Sequence, residues 1–491
     1  MSDLVLRGGR VLDPESGFDA IADVVVRDGR IERVGALDDA AVAAATMVDV
    51  SGLAVSPGFI DLHSHAVTVA GQRLQACDGV TTALELEAGA WPLAAAYDRI
   101  AKVGAVINYG FSASWAVARM DVVAGLDVSG PLSGFLRNVN DPAWQVVATD
   151  DQEQALVDAL GTALADGALG IGLLLGYAPR INPSEYLAVA SLAQRHGVPT
   201  YTHARELVEV APNAPIDGAT EVVRAAGETG AHMHYCHVNS TSLANVDRVL
   251  GLVEAARREG ATVTTEAYPY GAGSTGIGAF FLDPERLPRM GLKPERIRYM
   301  PTGERVADLD RLRELRATDP GGIAIIEFLD EDDPRERALL HKALLFDDSI
   351  VASDAMPITW VGGDAADDAW PVPPHGVTHP RSAGTFARSL RVLTQEHGLP
   401  LLEALRRMTF LPARVVESAT PAMASKGRLS AGADADITVF DPATVTDQAT
   451  YDEPTRPSTG IVHVLVGGEF VVRDGALRLG ARPGRAIRGA V

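Results

Sequence analysis

With 491 residues, 47% hydrophobic and 22% charged, the chain is too long for one small domain and can bury a sizeable core. A formal charge of −21 argues against nucleic acid or an anionic membrane surface as partner. Two cysteines, Cys77 and Cys236, are too few for a disulfide framework, so a reduced, cytoplasmic setting is expected.

The N-terminal run MSDLVLRGGRVLDPESG carries acids and turn residues where a signal peptide needs a basic start and an apolar stretch. No segment reaches the roughly 18 uninterrupted apolar residues of a membrane helix, and a soluble protein is expected. Residues 1–57 read as β structure: LVLRGGRVLD, DVVVRDGRIERVGA and MVDVSGLAVSPG are short β-branched runs cut by Gly and Asp-Gly turns. Residues 421–491 read the same way, with ADITVFD and IVHVLVGGEFVVRDGALRL. Two β-rich ends around a different middle point to one small β-sandwich built from both termini. Two separate hairpin sets are the other arrangement that composition allows.

The middle repeats another unit. Asn182-Pro183-Ser184-Glu185 starts a helix with a cap, a first-turn proline and an acid at the positive end; Gly197 ends it. VPTYTHARE then reads as a strand ending in polar residues. ATEVVRAAGETG leads likewise to AHMHYCHVNS, and SLANVDRVLGLVEAARREG to ATVTTEAYPY. Repeated helix, glycine, apolar strand and polar strand end favour a (β/α)8 TIM-like barrel or a doubly wound sheet. No GxGxxG opens a helix after a strand, which weakens the dinucleotide-binding form of the open sheet. The reading assigns strands 1–7 of the barrel to 58–278, and strand 8 with following helices to 349–420. Residues 279–348, rich in charge and proline, read as an insertion near the mouth or as surface helices of the barrel itself.

The chemistry collects at strand ends, where a barrel keeps its catalytic groups. In SPGFIDLHSHAVTV an apolar strand ends in His63-Ser64-His65, and alternation puts both imidazoles on one side. His203, His237 and Asp354 close three further strands. A second pair, His232 and His234, sits deeper in its strand and is expected to be structural. In GVTTALELEAGAW, alternation sends Glu85 and Glu87 to the face opposite the leucines. A carboxylate among neutral imidazoles suits a bridge between two divalent cations about 3.5–4 Å apart. Glu87, nearer the strand end, is the expected bridge; Glu85, a layer below, could accept a hydrogen bond from a ligand histidine.

These segments resemble the amidohydrolase superfamily, and within it the N-acyl-D-amino-acid deacylase (D-aminoacylase) branch. PGFIDLHSH and KGRLSAGADADITVFDP match the superfamily; YPYGAGST, ASDAMP and HPRSAGTFARSL match the branch. The resemblance implies a metal-dependent barrel that hydrolyses an amide by attack of metal-activated water, on one or two divalent ions, zinc being expected. It implies metal roles for His63, His65, His203 and His237, and a general-base role for Asp354. For a small-molecule amide substrate bearing a carboxylate, it implies contacts from Tyr268, Ser274 and Arg381, and from Tyr177 by a looser match. The chain departs from the branch twice. Ala88, preceded by Glu87, stands where the deacylases have a metal-binding cysteine, and Asn239 stands where they have a substrate-binding lysine. A cyclic amidase or deaminase on the same core is the alternative enzyme reading. A catalytically silent scaffold is the third, although no expected ligand is missing. Oligomeric state is left open.

Overall fold

The computed structural model describes residues 4–36, 45–130, 132–205 and 217–490. Glu206, the last residue of the VPTYTHARE run, lies outside them.

The N-terminal strands are β1 (Leu4–Asp13), β2 (Phe18–Arg27), β3 (Arg30–Gly35), β4 (Thr46–Asp49) and β5 (Ala54–Pro57). The eight barrel strands are β6 (Phe59–Asp61), β7 (Val80–Ala90), β8 (Asn108–Ser114), β9 (Ile171–Leu174), β10 (Thr200–His203), β11 (Met233–Tyr235), β12 (Val263–Ala267) and, after an interruption, Ile350–Val351. The interruption holds β13 (Ala272–Gly276), β14 (Ile297–Tyr299), β15 (Glu304–Arg305) and β16 (Ile323–Glu327), so the eighth barrel strand is β17. Every neighbouring pair in the barrel sheet is parallel. The ring closes between β6 and β17, where Ser64 bridges Ala355 and His65 N–H donates to the Ala355 carbonyl at 2.8 Å.

The helices between strands follow their local signals. Helix Pro183–His196 is capped by the Asn182 side chain and stopped by Gly197 in the left-handed region at φ 67°. The β-rich ends join: C-terminal strands, beginning with β18 (Ile437–Phe440), pair antiparallel onto β5 and extend the β1–β5 sheet to nine strands. That domain has its own apolar core, including Leu6, Val24, Ile437 and Leu465. Both termini therefore build a single β domain, and two unconnected hairpin sets are ruled out.

The β13–β16 unit is an antiparallel sheet, ordered β13-β16-β14-β15. It starts at Ala272, ahead of the boundary expected at 279. The Gly- and Ser-rich text of β13 carries little strand signal of its own, and pairing with the apolar β16 is what makes it a strand. Among the described residues no helix is long and apolar enough to cross a membrane.

Candidate active site

The strand ends of the barrel converge on Glu87. Its Oε2 lies 3.1 Å from His63 Nε2 and 3.8 Å from His65 Nε2. Its Oε1 lies 3.0 Å from His203 Nδ1 and 2.7 Å from His237 Nε2. The two carboxylate oxygens thus divide the four imidazoles into two pairs. Asp354 joins the first pair, with Oδ1 at 3.5 Å from His63 Nε2 and 3.4 Å from His65 Nε2. All six side chains are buried.

Local backbone explains part of this convergence. Asp354 and His237 sit just past their strands at φ 52° and 30°, a region that non-glycine residues seldom adopt and that clusters at functional sites. Gly176 leaves room for His203: a Cβ there would stand 2.7 Å from the imidazole.

The opposite edges of the strand-one imidazoles are held from behind. His65 Nδ1 meets Glu85 at 2.8 Å, the contact expected of that carboxylate. His63 Nδ1 meets Glu266 Oε1 at 2.6 Å. Glu266, on β12, also meets His234 Nε2 at 2.9 Å and accepts the His237 N–H at 3.2 Å. His234 Nδ1 contacts Thr264 Oγ1 at 2.8 Å and His232 Nε2 contacts the same hydroxyl at 2.9 Å, a structural network. Glu266 escaped the sequence reading, although as an acid in the penultimate position of a barrel strand it carried a signal of its own.

The buried carboxylates are held in their charged form by their basic neighbours. Burial opposes ionisation of Glu87, yet His63 and His237 hold its carboxyl well below the usual range. Burial likewise opposes ionisation of Asp354, and Arg381 with His63 holds it low. Against burial, Glu85 pushes His65 up to about 10. Two groups of three ligand atoms, His63–Glu87–His237 and His63–His65–Asp354, each fall within 4.8 Å of one another, and His63 Nε2 is buried without a hydrogen-bond partner. Imidazole and carboxylate donors in this number suit zinc and similar divalent ions.

A cavity of about 780 Å³, its open mouth included, lies beside these groups. Tyr177, Tyr268 and Ser274 line it with His65, Glu87, His203, His237 and Asp354. The β13–β16 unit supplies much of its wall, including Phe281, Leu282, Leu292, Ile326 and Phe328. Tyr268 Oη and Ser274 Oγ are buried without hydrogen-bond partners, whereas Tyr177 Oη is bonded to Thr275 Oγ1 at 2.7 Å. Arg381 lies one layer back. Its guanidinium is 4.8 Å from the Tyr268 ring centroid, and one amine is 2.8 Å from Asp354 Oδ1. Gly273 is the window between them: a Cβ there would stand 3.3 Å from Tyr268 Oη and 3.8 Å from Arg381 Nη1. The Asn239 amide is turned onto Tyr268, donating to its carbonyl at 3.2 Å and accepting its N–H at 3.4 Å.

Residues 46–472 match the model of the Amidohydrolase family. The chain belongs to that family. N-acyl-D-glutamate deacylase of Alcaligenes xylosoxydans xylosoxydans is 32% identical, over 99% of this chain and 96% of the relative. D-aminoacylase of the same organism is 31% identical, over 99% of this chain and 97% of the relative. Among solved structures, N-acyl-D-glutamate deacylase of Bordetella bronchiseptica superposes with a TM-score of 0.77 at 26% identity, covering 99% of this chain and 100% of its own. That structure holds zinc and a phosphonate inhibitor, a mimic of the reaction tetrahedral intermediate. Relatives and barrel thus agree over nearly the whole length, terminal β domain included.

Proposed function

We propose that this amidohydrolase is a divalent-metal enzyme that deacylates an N-acyl amino acid, with zinc as the first ion to test. The observation that carries the reading is the division of four imidazoles between the two oxygens of Glu87, with Asp354 on one side and unpartnered Tyr268 and Ser274 facing the same cavity. His63, His65 and Asp354 would hold one ion, His203 and His237 a second, and Glu87 both. Such an ion polarises a scissile carbonyl and makes bound water nucleophilic near neutral pH.

The chain's own groups supply the rest. Asp354 is ionised and central, so it can take the proton of the attacking water and return it to the leaving amine. Tyr268 and Ser274 donate to the substrate carboxylate, and Arg381 reaches it past Gly273. The guanidinium also holds Asp354 in place and in its basic form. Asn239, spent on the Tyr268 backbone, acts by fixing that tyrosine. No Lys or Arg lines the cavity among the described residues, and none occurs among the rest. A second carboxylate on the amino-acid side chain would therefore lack a cationic partner, and apolar side chains are the better fit. The D-configured amino acids in the relatives' names set the stereochemistry to try first. Free, buried Cys77 and Cys236 accord with a reducing, cytoplasmic setting.

The test compares an N-acetyl-D-amino acid with its methyl ester. The acid should be strongly preferred, and Arg381→Lys should lower kcat/KM on the acid by roughly ten- to a hundredfold, because lysine loses the planar fork. Equal use of acid and ester by the parent would overturn the deacylase reading and leave the cyclic amidase.

A further inference from the structure

A second cavity reaches the same centre from the other side. It encloses about 310 Å³, at the lower end of the roughly 300–1,000 Å³ typical of small-molecule sites. His65, Ala88, Phe135 and Leu174 line both cavities, so they form the wall between the two. Beyond that wall it runs past Ala90, Trp91 and Phe111 to Ala95 on the helix Leu93–Val103. Its charged side chains, among the described residues, are the mutually paired His65 and Glu85 at the inner end and Arg99 at the exposed rim. Its body is apolar. Small residues, Ala88-Gly89-Ala90, keep it open where the strand β7 ends.

An amide held at Glu87 and Asp354 has two halves on opposite sides of the scissile bond. The carboxylate-reading groups Tyr268 and Ser274 line the first cavity only. We infer that the second cavity takes the acyl half, and that the substrates are amides of unbranched apolar acyl groups longer than acetyl, admitted over Ala88. This rests on the deacylase reading and adds to it the acyl class and its site. Burying a methylene is worth about a fourfold gain in a binding or rate constant.

The experiment is a chain-length series, N-acetyl, N-butanoyl, N-hexanoyl and N-octanoyl, on one D-amino acid with metal-loaded enzyme. kcat/KM should rise at least tenfold from acetyl to hexanoyl. Ala95→Trp, at the exposed outer end, should bring the ratio of hexanoyl to acetyl back toward one. Calorimetric binding of octanoate, the product acid, should weaken at least tenfold in the same variant. A flat series with good acetyl turnover overturns the acyl site and spares the deacylase reading. No turnover of any member overturns that reading, and octanoate binding unchanged by Ala95→Trp then overturns the acyl site as well.

Discussion

Glu266 offers the sharpest test of how the centre is held. Its carboxylate meets His63 Nδ1 at 2.6 Å and His234 Nε2 at 2.9 Å, and accepts the His237 N–H at 3.2 Å. A single side chain thus fixes the ring of one proposed ligand and the backbone of another. With Nδ1–H given to Glu266, the free lone pair of His63 is on Nε2, which faces Glu87 and Asp354. Glu266→Ala would leave these donors buried and unmatched, a loss of the order of 3–5 kcal/mol when a buried partner is removed. Metal affinity should fall about ten- to a hundredfold with it. Glu266→Gln keeps an acceptor for His63 and offers a donor to His234, so it should lose charge but little structure. Its denaturation midpoint should stay near that of the parent, and its metal affinity should fall less than in the alanine variant. Chelator competition with zinc and denaturant melts on the three proteins decide the matter. An alanine variant with the parent's metal affinity and midpoint would refute the argument, because Glu266 would then orient nothing.

Other expectations follow from the same geometry. Asp354→Asn should keep the fold and, on protein loaded with excess metal, lower kcat by about 10²–10⁴, since an amide cannot accept the proton; steady-state kinetics with elemental analysis of the loaded variant checks this. Glu87→Ala should lower bound metal more than Glu85→Ala, because only Glu87 touches both imidazole pairs; elemental analysis of both variants ranks them. Gly273→Ala should raise KM for a carboxylate substrate severalfold with little change in stability, its Cβ intruding between Tyr268 and Arg381; a KM unmoved by the methyl would remove that passage from binding. N-acetyl-D-leucine should be a better substrate than N-acetyl-D-glutamate, as no Lys or Arg among the described residues lines the cavity for a second carboxylate; the reverse order of kcat/KM would contradict it.

Much of this was readable along the chain because barrel chemistry is local to strand ends. Apolar runs that stop at His63, His203, His237 and Asp354 announce both the strand and the tip that joins the candidate site, and Asn182-Pro183 with Gly197 marks a helix between two of them. Glu87 was also legible, since two acids on one face of an interior strand need a reason. What stayed hidden depends on contacts between distant segments. Glu266 is explained only when β12 lies beside β11 and brings it to His234 and His63. Arg381 was expected to face the substrate alone, yet the turn before its helix also sets it against Asp354. The second cavity is a space between side chains from several elements, and no linear pattern encodes it.

The bonds that close the barrel are also the bonds that place the proposed ligands. Asp61, at the end of β6, accepts the Ser353 N–H at 3.0 Å, the Ser353 hydroxyl, the His63 N–H at 3.2 Å and the Gln75 amide at 2.8 Å. It joins the first strand to the eighth immediately before His63 on one side and Asp354 on the other. Glu266 does the same between β12 and β11. A buried carboxylate with any donor missing is costlier than an apolar residue, so a layer of such groups is tolerable only when every member is satisfied. Here satisfaction requires strands one, six, seven and eight to hold one register. A slip of any of them would break several charge-assisted bonds at once. The polar layer below the mouth therefore sets the distances among His63, His237 and Asp354 as firmly as it closes the ring.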